Sequence, residues 1–441
     1  MNRDIEAILD AWKKDNHRLP LLLRGARQVG KSYTVTEFGR KAFNEQAIIN
    51  FEQNPEYKEC FATLNPKEIV ENISLLQKKD ILPGHTLLFL DEIQECPKAI
   101  TALRYFYEQM PELHVIGAGS LLEFALSSED FKMPVGRIQY LYMRPLSFGE
   151  FLDATGENKS RQFIREYRID KPLNRAIHEH LLSLVKKYTI LGGMPAVIAE
   201  YLSSGNLNKC QQIQRVIIQT YRDDFGKYAK KIKHKYLQKV FYAIPKLVGN
   251  KFKYSNVDIQ TQSRDLKEAL ELLEQAGIAY RVKRTSGEGL PLEANVKELH
   301  FKVIFLDIGL MQNICGINIE TLFAEDLMGV NAGAVAEQFV GQEILAYQDK
   351  FQDASLYYWA REARNSSAEV DYLITCGSLV IPVEVKHGKT GSLRSMHLYL
   401  EKYKSPKGVR ISSQPFSSSL PIISVPLYAI ESLETFCAKP S

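Results

Sequence analysis

The sequence predicts an α/β protein whose first part is a parallel sheet covered on both faces, followed by a mainly helical stretch and an α+β C-terminal part. Three observations carry that reading. Residues 19 to 150 alternate short apolar runs with helical stretches, the punctuation of strand, helix, strand units. The loop "GARQVGKS", Gly25 to Ser32, joins the first apolar run to the first helical one. The strand-like runs "ASLYYWAR", "AEVDYLIT" and "LVIPVEVK" near the end are grouped between two helices instead of alternating with them.

In chain order, the first strand candidates are "RLPLLLRG", "AIINFE", "TLLFLDE" and "LHVIGAG", with helical stretches beginning near Lys31, Pro66 and Pro97. From about Leu146 to Tyr221 the pattern is helical. It is broken by "LGGMPAV", whose paired glycines and proline mark a turn between helices. In "TQSRDLKEALELLEQAGIAYRV", Leu266, Leu270, Leu273 and Ala276 recur at helical spacing before a glycine stop and a strand-like run. A helix followed by a hairpin fits a winged-helix module. From about residue 334 the helix "AVAEQFVGQEILAYQ" leads into the late strands, and a helix around "SMHLYLEKY" follows them. No repeat of solenoid period occurs.

The bulk properties bound the answer without naming a function. A chain of 441 residues exceeds the size at which one hydrophobic core stops growing, so two or three domains are expected. Hydrophobic residues at 45% and charged residues at 24% are ordinary for a globular protein. The start "MNRDIEAILDAWKKD" does not read as a secretory signal, and the longest apolar runs fall short of the roughly 18 residues that span a bilayer. The expected location is cytoplasmic, with no membrane partner. Six cysteines are scattered without a Cys-x-x-Cys pair, so reduced structural thiols are expected, neither a zinc site nor a disulfide framework. The formal net charge of +4 is unevenly placed: Tyr221 to Tyr254 holds nine Lys and one Arg against two Asp, a local +8, which leaves −4 elsewhere.

"GARQVGKS" has the spacing G-x-x-x-x-G-K-[ST], and each element has a physical task. The glycines let backbone N–H groups approach an anion, and the helix that follows adds its positive end. Gly25, Ala26, Arg27, Gln28, Val29, Gly30, Lys31, Ser32 and Tyr33 form the candidate ATP-binding segment. Within it Lys31 reaches the β and γ phosphates and Ser32 ligates Mg2+. "TLLFLDEIQ" ends a buried strand in Asp91 and Glu92. A carboxylate at a strand end beside the first strand gives Mg2+ a second anchor, Asp91, and Glu92 polarises the attacking water. Two readings stay open for Ser120 in "GAGSLLEF": sensing the γ-phosphate or orienting water, and capping a helix. Arg137 and Arg144 are candidates for transition-state charge, in cis or from a neighbouring subunit, against a surface or ion-pair role.

In that order, "GARQVGKS", "LLFLDEIQ", "GAGSLLE", "GR", "RPLSFGEF", "LGGMP", "YRDDF" and "FLDIGL" resemble bacterial and archaeal AAA-type ATPases that carry a C-terminal domain of unknown function. The resemblance spans nearly the whole chain. It implies an additional-strand P-loop fold with Gly25 to Ser32, Asp91 and Glu92 at the nucleotide-site positions. It implies no particular physiological substrate.

In the basic segment, lysines 227, 230, 231, 233, 235 and 239 alternate with Tyr221, Phe225, Tyr228 and Tyr236. Cations neutralise phosphates and rings stack on bases, which suits DNA; the alternative is a solvated helix face with its rings packed inward. In the winged-helix reading, Ser255 to Arg264 and Asp265 to Gln275 make the helix-turn-helix. The second helix carries Asp265, Glu268, Glu271 and Glu274, which repel phosphate, so a packing role is also open.

The late hairpin brings Asp371 toward Glu384 and Lys386, which share one strand face. Two carboxylates can hold a divalent metal and a lysine can orient hydroxide, as phosphodiester hydrolysis requires, with Glu337 on the preceding helix as a further metal ligand. This set resembles the restriction-nuclease-like fold with its Asp, Glu-x-Lys signature. A structural ion pair, or a fold kept without catalysis, is the other reading.

The expected organisation is therefore a P-loop NTPase core over 1–150, a helical subdomain over 151–225, a winged-helix-like module over 226–330 and a nuclease-like domain over 331–441. The expected function is a Mg2+-dependent ATPase whose nucleotide state is coupled to a DNA-binding or nuclease-like C-terminal half. The rival is an ATP-switched regulatory module without nuclease activity, acting on a protein partner or as a homo-oligomer.

Overall fold

The computed structural model describes residues 1–120, 122, 136–169, 171, 173–228, 231–317, 332–361, 368–386 and 393–438. The chain divides into two compact units, Met1–Arg144 with Asp349–Asp353, and Pro145–Gln348 with Ala354–Ser441.

The first unit is built on a five-stranded parallel sheet in the order β2-β3-β4-β1-β5. Its strands are β1 (Leu21–Arg24), β2 (Glu45–Asn50), β3 (Thr86–Asp91), β4 (His114–Ala118) and β5 (Gln139–Tyr142). All residues of β3 and β4 are buried, which is why these segments read as unbroken apolar runs with no alternation. Helix Pro97–Gln109 turns Ile100, Leu103 and Phe106, at helical spacing, into the core around Leu88, Leu90 and Val115. Asn65 caps helix Pro66–Gln77 by accepting from the Lys67 N–H at 3.1 Å. One expectation is corrected here: β3 does not lie beside β1, because β4 is inserted between them. That insertion is the additional strand implied by the resemblance.

The second unit begins with helices Phe148–Ala154, Asn158–Glu166, Arg175–Leu191, Pro195–Ser204, Leu207–Tyr228 and Lys231–Leu247. Short helix Tyr254–Val257 and helix Ser263–Gln275 lead into the antiparallel pair β6 (Ala279–Thr285) and β7 (Val296–Phe305). After helices Ile308–Ile314 and Ala332–Tyr347 come β8 (Leu356–Ala360), β9 (Glu369–Cys376) and β10 (Leu379–Val385), then helix Arg394–Tyr403. Strands β11 (Gly408–Ser412), β12 (Ser417–Ser419) and β13 (Ile422–Pro426) complete one mixed eight-stranded sheet, β12-β13-β11-β10-β9-β8-β6-β7.

The compact units and the sheets divide the chain at other places than the expected boundaries name. The first cut falls at Arg144, before residue 150. Residues 225 and 226 lie inside one continuous helix, Leu207–Tyr228. Residues 330 and 331 do not separate two sheets, because β6 pairs in parallel with β8 and carries the hairpin into the C-terminal sheet. The helices and the hairpin occur where expected; what sequence spacing does not reveal is that they share a sheet with the late strands.

Three strings with no chemistry of their own, "RPLSFGEF", "LGGMP" and "FLDIGL", meet in a buried network. The Gly193 N–H donates to Asp307 Oδ2 at 2.6 Å, and the Leu146 N–H donates to the Gly193 carbonyl at 2.7 Å. A Cβ on Gly193 would lie 2.1 Å from the Leu146 carbonyl oxygen, so only glycine allows this approach. Glu343 accepts from the Phe148 N–H at 3.0 Å, the start of a helix that Ser147 and Glu150 close with a capping box. Gln342 donates to the Tyr188 hydroxyl at 2.8 Å, and that hydroxyl donates to the Leu146 carbonyl at 2.5 Å. Each buried polar group finds a partner, which offsets its loss of water.

Burial pushes the Glu343 carboxyl from 4.5 up to about 8 and that of Asp307 from 3.8 to about 6. A carboxyl raised by folding stabilises the fold below its unfolded value, and that contribution is lost as pH rises through the folded value. Glu343→Gln stays neutral at every pH. Urea unfolding across that window is therefore expected to show wild type losing stability relative to Glu343→Gln as pH climbs from the ordinary glutamate range through about 8.

Candidate functional site

The carboxyl ends of the parallel strands all reach one edge of the first unit's sheet, where open α/β folds bind ligands. After β1 the chain turns at Gly25, with φ of 142°, and passes through Gln28 and Gly30 at φ of 63° and 95° before helix Lys31–Ala42 starts. The Gly25 turn is crowded: a Cβ there would sit 2.1 Å from the Met143 carbonyl oxygen. Lys31 is buried, and its ammonium donates to the Gly25 and Ala26 carbonyls at 2.9 Å each. Burial lowers its pKa from 10.5 to about 8, against the pull of Glu92 and Asp91. Arg27 lies 3.8 Å from Glu52, and Tyr33 is 57% exposed at the helix start.

Ser32 Oγ donates to Asp91 Oδ1 at 2.9 Å, and Asn50 Nδ2 donates to the other oxygen, Oδ2, at 3.2 Å. Burial pushes the Asp91 carboxyl up, and the Ser32 hydrogen bond pulls it back. Glu92 follows in the left-handed region at φ of 47°, which turns the chain out of the strand. Its Oε2 accepts from Gln94 Nε2 at 2.7 Å and from Ser120 Oγ at 3.4 Å. Gln94 Oε1 is buried with no hydrogen-bond partner among the described residues. The Ser120 hydroxyl faces the Glu92 carboxylate, and the residues it would cap in the other reading lie outside the described residues. The structure thus brings Lys31, Ser32, Asp91, Glu92 and Ser120 to the same edge of the sheet.

Arg137 is corrected as an in-cis site residue. It precedes β5, whose first residue Gln139 pairs with Leu21 at the start of β1, so it lies at the sheet edge opposite the loop. There its Nε donates to Glu108 Oε1 at 3.1 Å. Arg144 follows the loop-side end of β5, and its carbonyl accepts from Arg3 Nη2 at 2.8 Å. Arg3 Nη1 also donates to the Val29 carbonyl at 3.0 Å, bracing the loop from the chain start. Sequence reasoning misses Arg3, Asn50 and Gln94. Asn50 ends β2 in register with Asp91, a pairing that strand periodicity alone does not reveal.

In the second unit, Asp371 and Glu384 lie on the adjacent antiparallel strands β9 and β10, with Lys386 directly after β10, but their partners differ from the expected ones. Lys386 Nζ donates to Glu384 Oε1 at 2.6 Å, and the Val385 N–H donates to Asp371 Oδ2 at 2.9 Å. Lys302 of β7, which the sequence did not single out, donates to Glu337 Oε2 at 3.0 Å and lies 2.6 Å from Glu369 Oε1 and 3.4 Å from Asp371 Oδ1. Burial works against its charge, but Glu337, Asp371 and Glu369 outweigh it and hold the ammonium well above the usual lysine range. Among the described residues no group of three or more His, Cys, Asp or Glu is disposed to hold a metal ion. Where Glu337 and Asp371 were expected as metal ligands beside Glu384, the Lys302 ammonium stands between those two carboxylates.

The basic segment also differs from its stacking reading. Tyr221 and Phe225 are buried, and Phe225 packs edge-on against Phe241 at 5.3 Å, so neither ring faces a base. Lys233 pairs with Glu268 and Lys239 with Asp258, which cancels part of the local charge. Lys230, and the side chains of Lys227, Tyr228 and Lys231, lie outside the described residues. The six cysteines are all free thiols. No single described helix is long and apolar enough to cross a membrane.

Residues 17–152 match the family model described as an AAA domain. Residues 182–321 and 332–428 match two others, Domain of unknown function (DUF8612) and Domain of unknown function (DUF4143). No curated protein matches the chain. Among solved structures, the chain is similar to a Walker-type ATPase of Pyrococcus abyssi, at 16% identity over 71% of this chain and 95% of that one, with a TM-score of 0.44. It is similar to the ORC2 protein of Aeropyrum pernix at 13% identity over 73% and 93%, with a TM-score of 0.36. The AAA match falls on the unit that carries the parallel sheet and the glycine loop, a P-loop NTPase fold.

Gly25→Ala tests the loop geometry. With a backbone oxygen 2.1 Å from the new Cβ and φ of 142°, the substitution is expected to destabilise the first unit by about 1–3 kcal/mol in chemical unfolding.

Proposed function

We propose that the first unit binds ATP with Mg2+ and hydrolyses it at the carboxyl edge of the sheet. The carrying observation is the 2.9 Å hydrogen bond from the Ser32 hydroxyl to Asp91, which puts the loop's hydroxyl and a strand-end carboxylate in one place with Glu92 next in sequence. Oxygen donors of this kind fit Mg2+, so Ser32 and Asp91 are the residues that would hold it, and bound there it would neutralise phosphate charge.

The chain's own groups supply the rest. Residues Gly25 to Tyr33 wrap the phosphates, with backbone N–H groups and the start of helix Lys31–Ala42 facing the anion. The Lys31 ammonium exchanges its two carbonyl partners for phosphate oxygens. Glu92 orients the attacking water and accepts its proton, while Gln94 and Ser120 hold the carboxylate in position.

The second unit is the output: an ATP-switched interaction module containing the winged-helix-like segment from Tyr254 to Phe305. The inward rings and paired lysines of the basic segment favour a protein partner over base stacking. DNA contact is the second reading, supported by the local charge of +8 between Tyr221 and Tyr254. DNA affinity that falls steeply with salt would favour that second reading.

Lys31→Ala is expected to abolish ATP binding measured by calorimetry. Glu92→Gln is expected to keep ATP affinity while slowing phosphate release by roughly 10²–10⁴-fold. Unchanged turnover in Glu92→Gln would remove Glu92 from the chemistry.

A further inference from the structure

We infer that the carboxylate cluster of the second unit is closed around an internal cation, the Lys302 ammonium, which takes the place a divalent metal holds in a hydrolytic site, so that this centre cuts no phosphodiester. This goes beyond the ATPase reading and stands independently of it.

The geometry is that of a cation already coordinated. A lysine ammonium has three N–H donors and no acceptor. Lys302 Nζ has three carboxylate neighbours: Glu337 at 3.0 Å, Glu369 at 2.6 Å and Asp371 at 3.4 Å. They come from helix Ala332–Tyr347 and from β9, while the lysine comes from the edge strand β7. Its side chain is 3% exposed, and its charge lies 5.5 Å from the Tyr358 ring centre. The other Asp371 oxygen is taken by the Val385 N–H at 2.9 Å, and Lys386 is engaged by Glu384 at 2.6 Å.

A metal entering here has to displace Lys302 and leave a desolvated ammonium without its counter-ions, the costly way to break a buried ion pair. The short Asp, Glu-x-Lys pattern does not reveal this, because the deciding lysine lies before the helix that opens the nuclease-like segment. Beside this cluster, Glu384 Oε2 is buried with no hydrogen-bond partner among the described residues.

The test is Mn2+ uptake by the full chain without nucleotide, in a Ser32→Ala background that removes the loop as a metal ligand, read from the electron paramagnetic resonance of free Mn2+. With Lys302 intact, no saturable uptake sensitive to Asp371→Asn is expected, and no Mn2+-dependent nicking of plasmid DNA. Lys302→Met is expected to gain a saturable Mn2+ site that Asp371→Asn removes. Asp371-dependent uptake or nicking with Lys302 intact would overturn the inference, as would a folded Lys302→Met protein that takes up no Mn2+. Should Lys302→Met fail to fold, the Lys302-intact protein decides alone: absence of both signals supports the inference.

Discussion

The hydrogen bond between Ser32 and Asp91 joins two residues 59 positions apart, and the architecture of the first unit serves to bring them together. A parallel sheet puts every strand's carboxyl end on one edge, so the loop after β1 and the acid pair after β3 meet there despite β4 lying between them. Burial raises the Asp91 carboxyl, and the Ser32 and Asn50 hydrogen bonds work against that shift. Removing either partner would leave a buried carboxylate short of a donor, which is more costly than never having made the bond. Glu92 departs from the strand in a left-handed turn, and that separates two adjacent carboxylates into different environments: one faces the loop, the other faces Gln94 and Ser120.

The second unit solves the problem of buried carboxylates in two ways. Asp307 and Glu343 are surrounded by backbone N–H groups and hydroxyls, and burial pushes both toward the neutral form. Glu337, Glu369 and Asp371 instead share an ammonium. The first arrangement pins the turn at Gly193 to Asp307, the cap of helix Ile308–Ile314, and the start of helix Phe148–Ala154 to helix Ala332–Tyr347. The second pins the edge strand β7 to β9 and to helix Ala332–Tyr347. Both are fixed by charge and hydrogen bonding where apolar packing alone would allow sliding.

Much of this is legible in the sequence, and what is not has a physical reason. Strands buried on both faces read as apolar runs, and glycine and proline punctuate them, so β1 to β4 and the helices after Lys31, Pro66 and Pro97 fall where the pattern puts them. The loop is legible because its backbone, with φ of 142° at Gly25 and 95° at Gly30, demands glycine at both positions. Strand order is not legible, since local periodicity says nothing of which strand neighbours which; hence β4 between β1 and β3, and the hairpin β6 to β7 inside the C-terminal sheet. Arg137 fails for the same reason, because only the register of β5 tells which edge it occupies. Lys302 is invisible to motif reasoning, as its carboxylate partners Glu337, Glu369 and Asp371 lie 35 to 69 residues away.

The central claim is that Ser32 and Asp91 together hold Mg2+ beside the bound phosphates. It is tested most directly by equilibrium binding of ATP with and without Mg2+ to wild type and to Asp91→Asn. The account expects Mg2+ to tighten ATP binding in wild type and to have little effect in Asp91→Asn, with metal-free affinity similar in the two. An equal Mg2+ dependence in both proteins would contradict it.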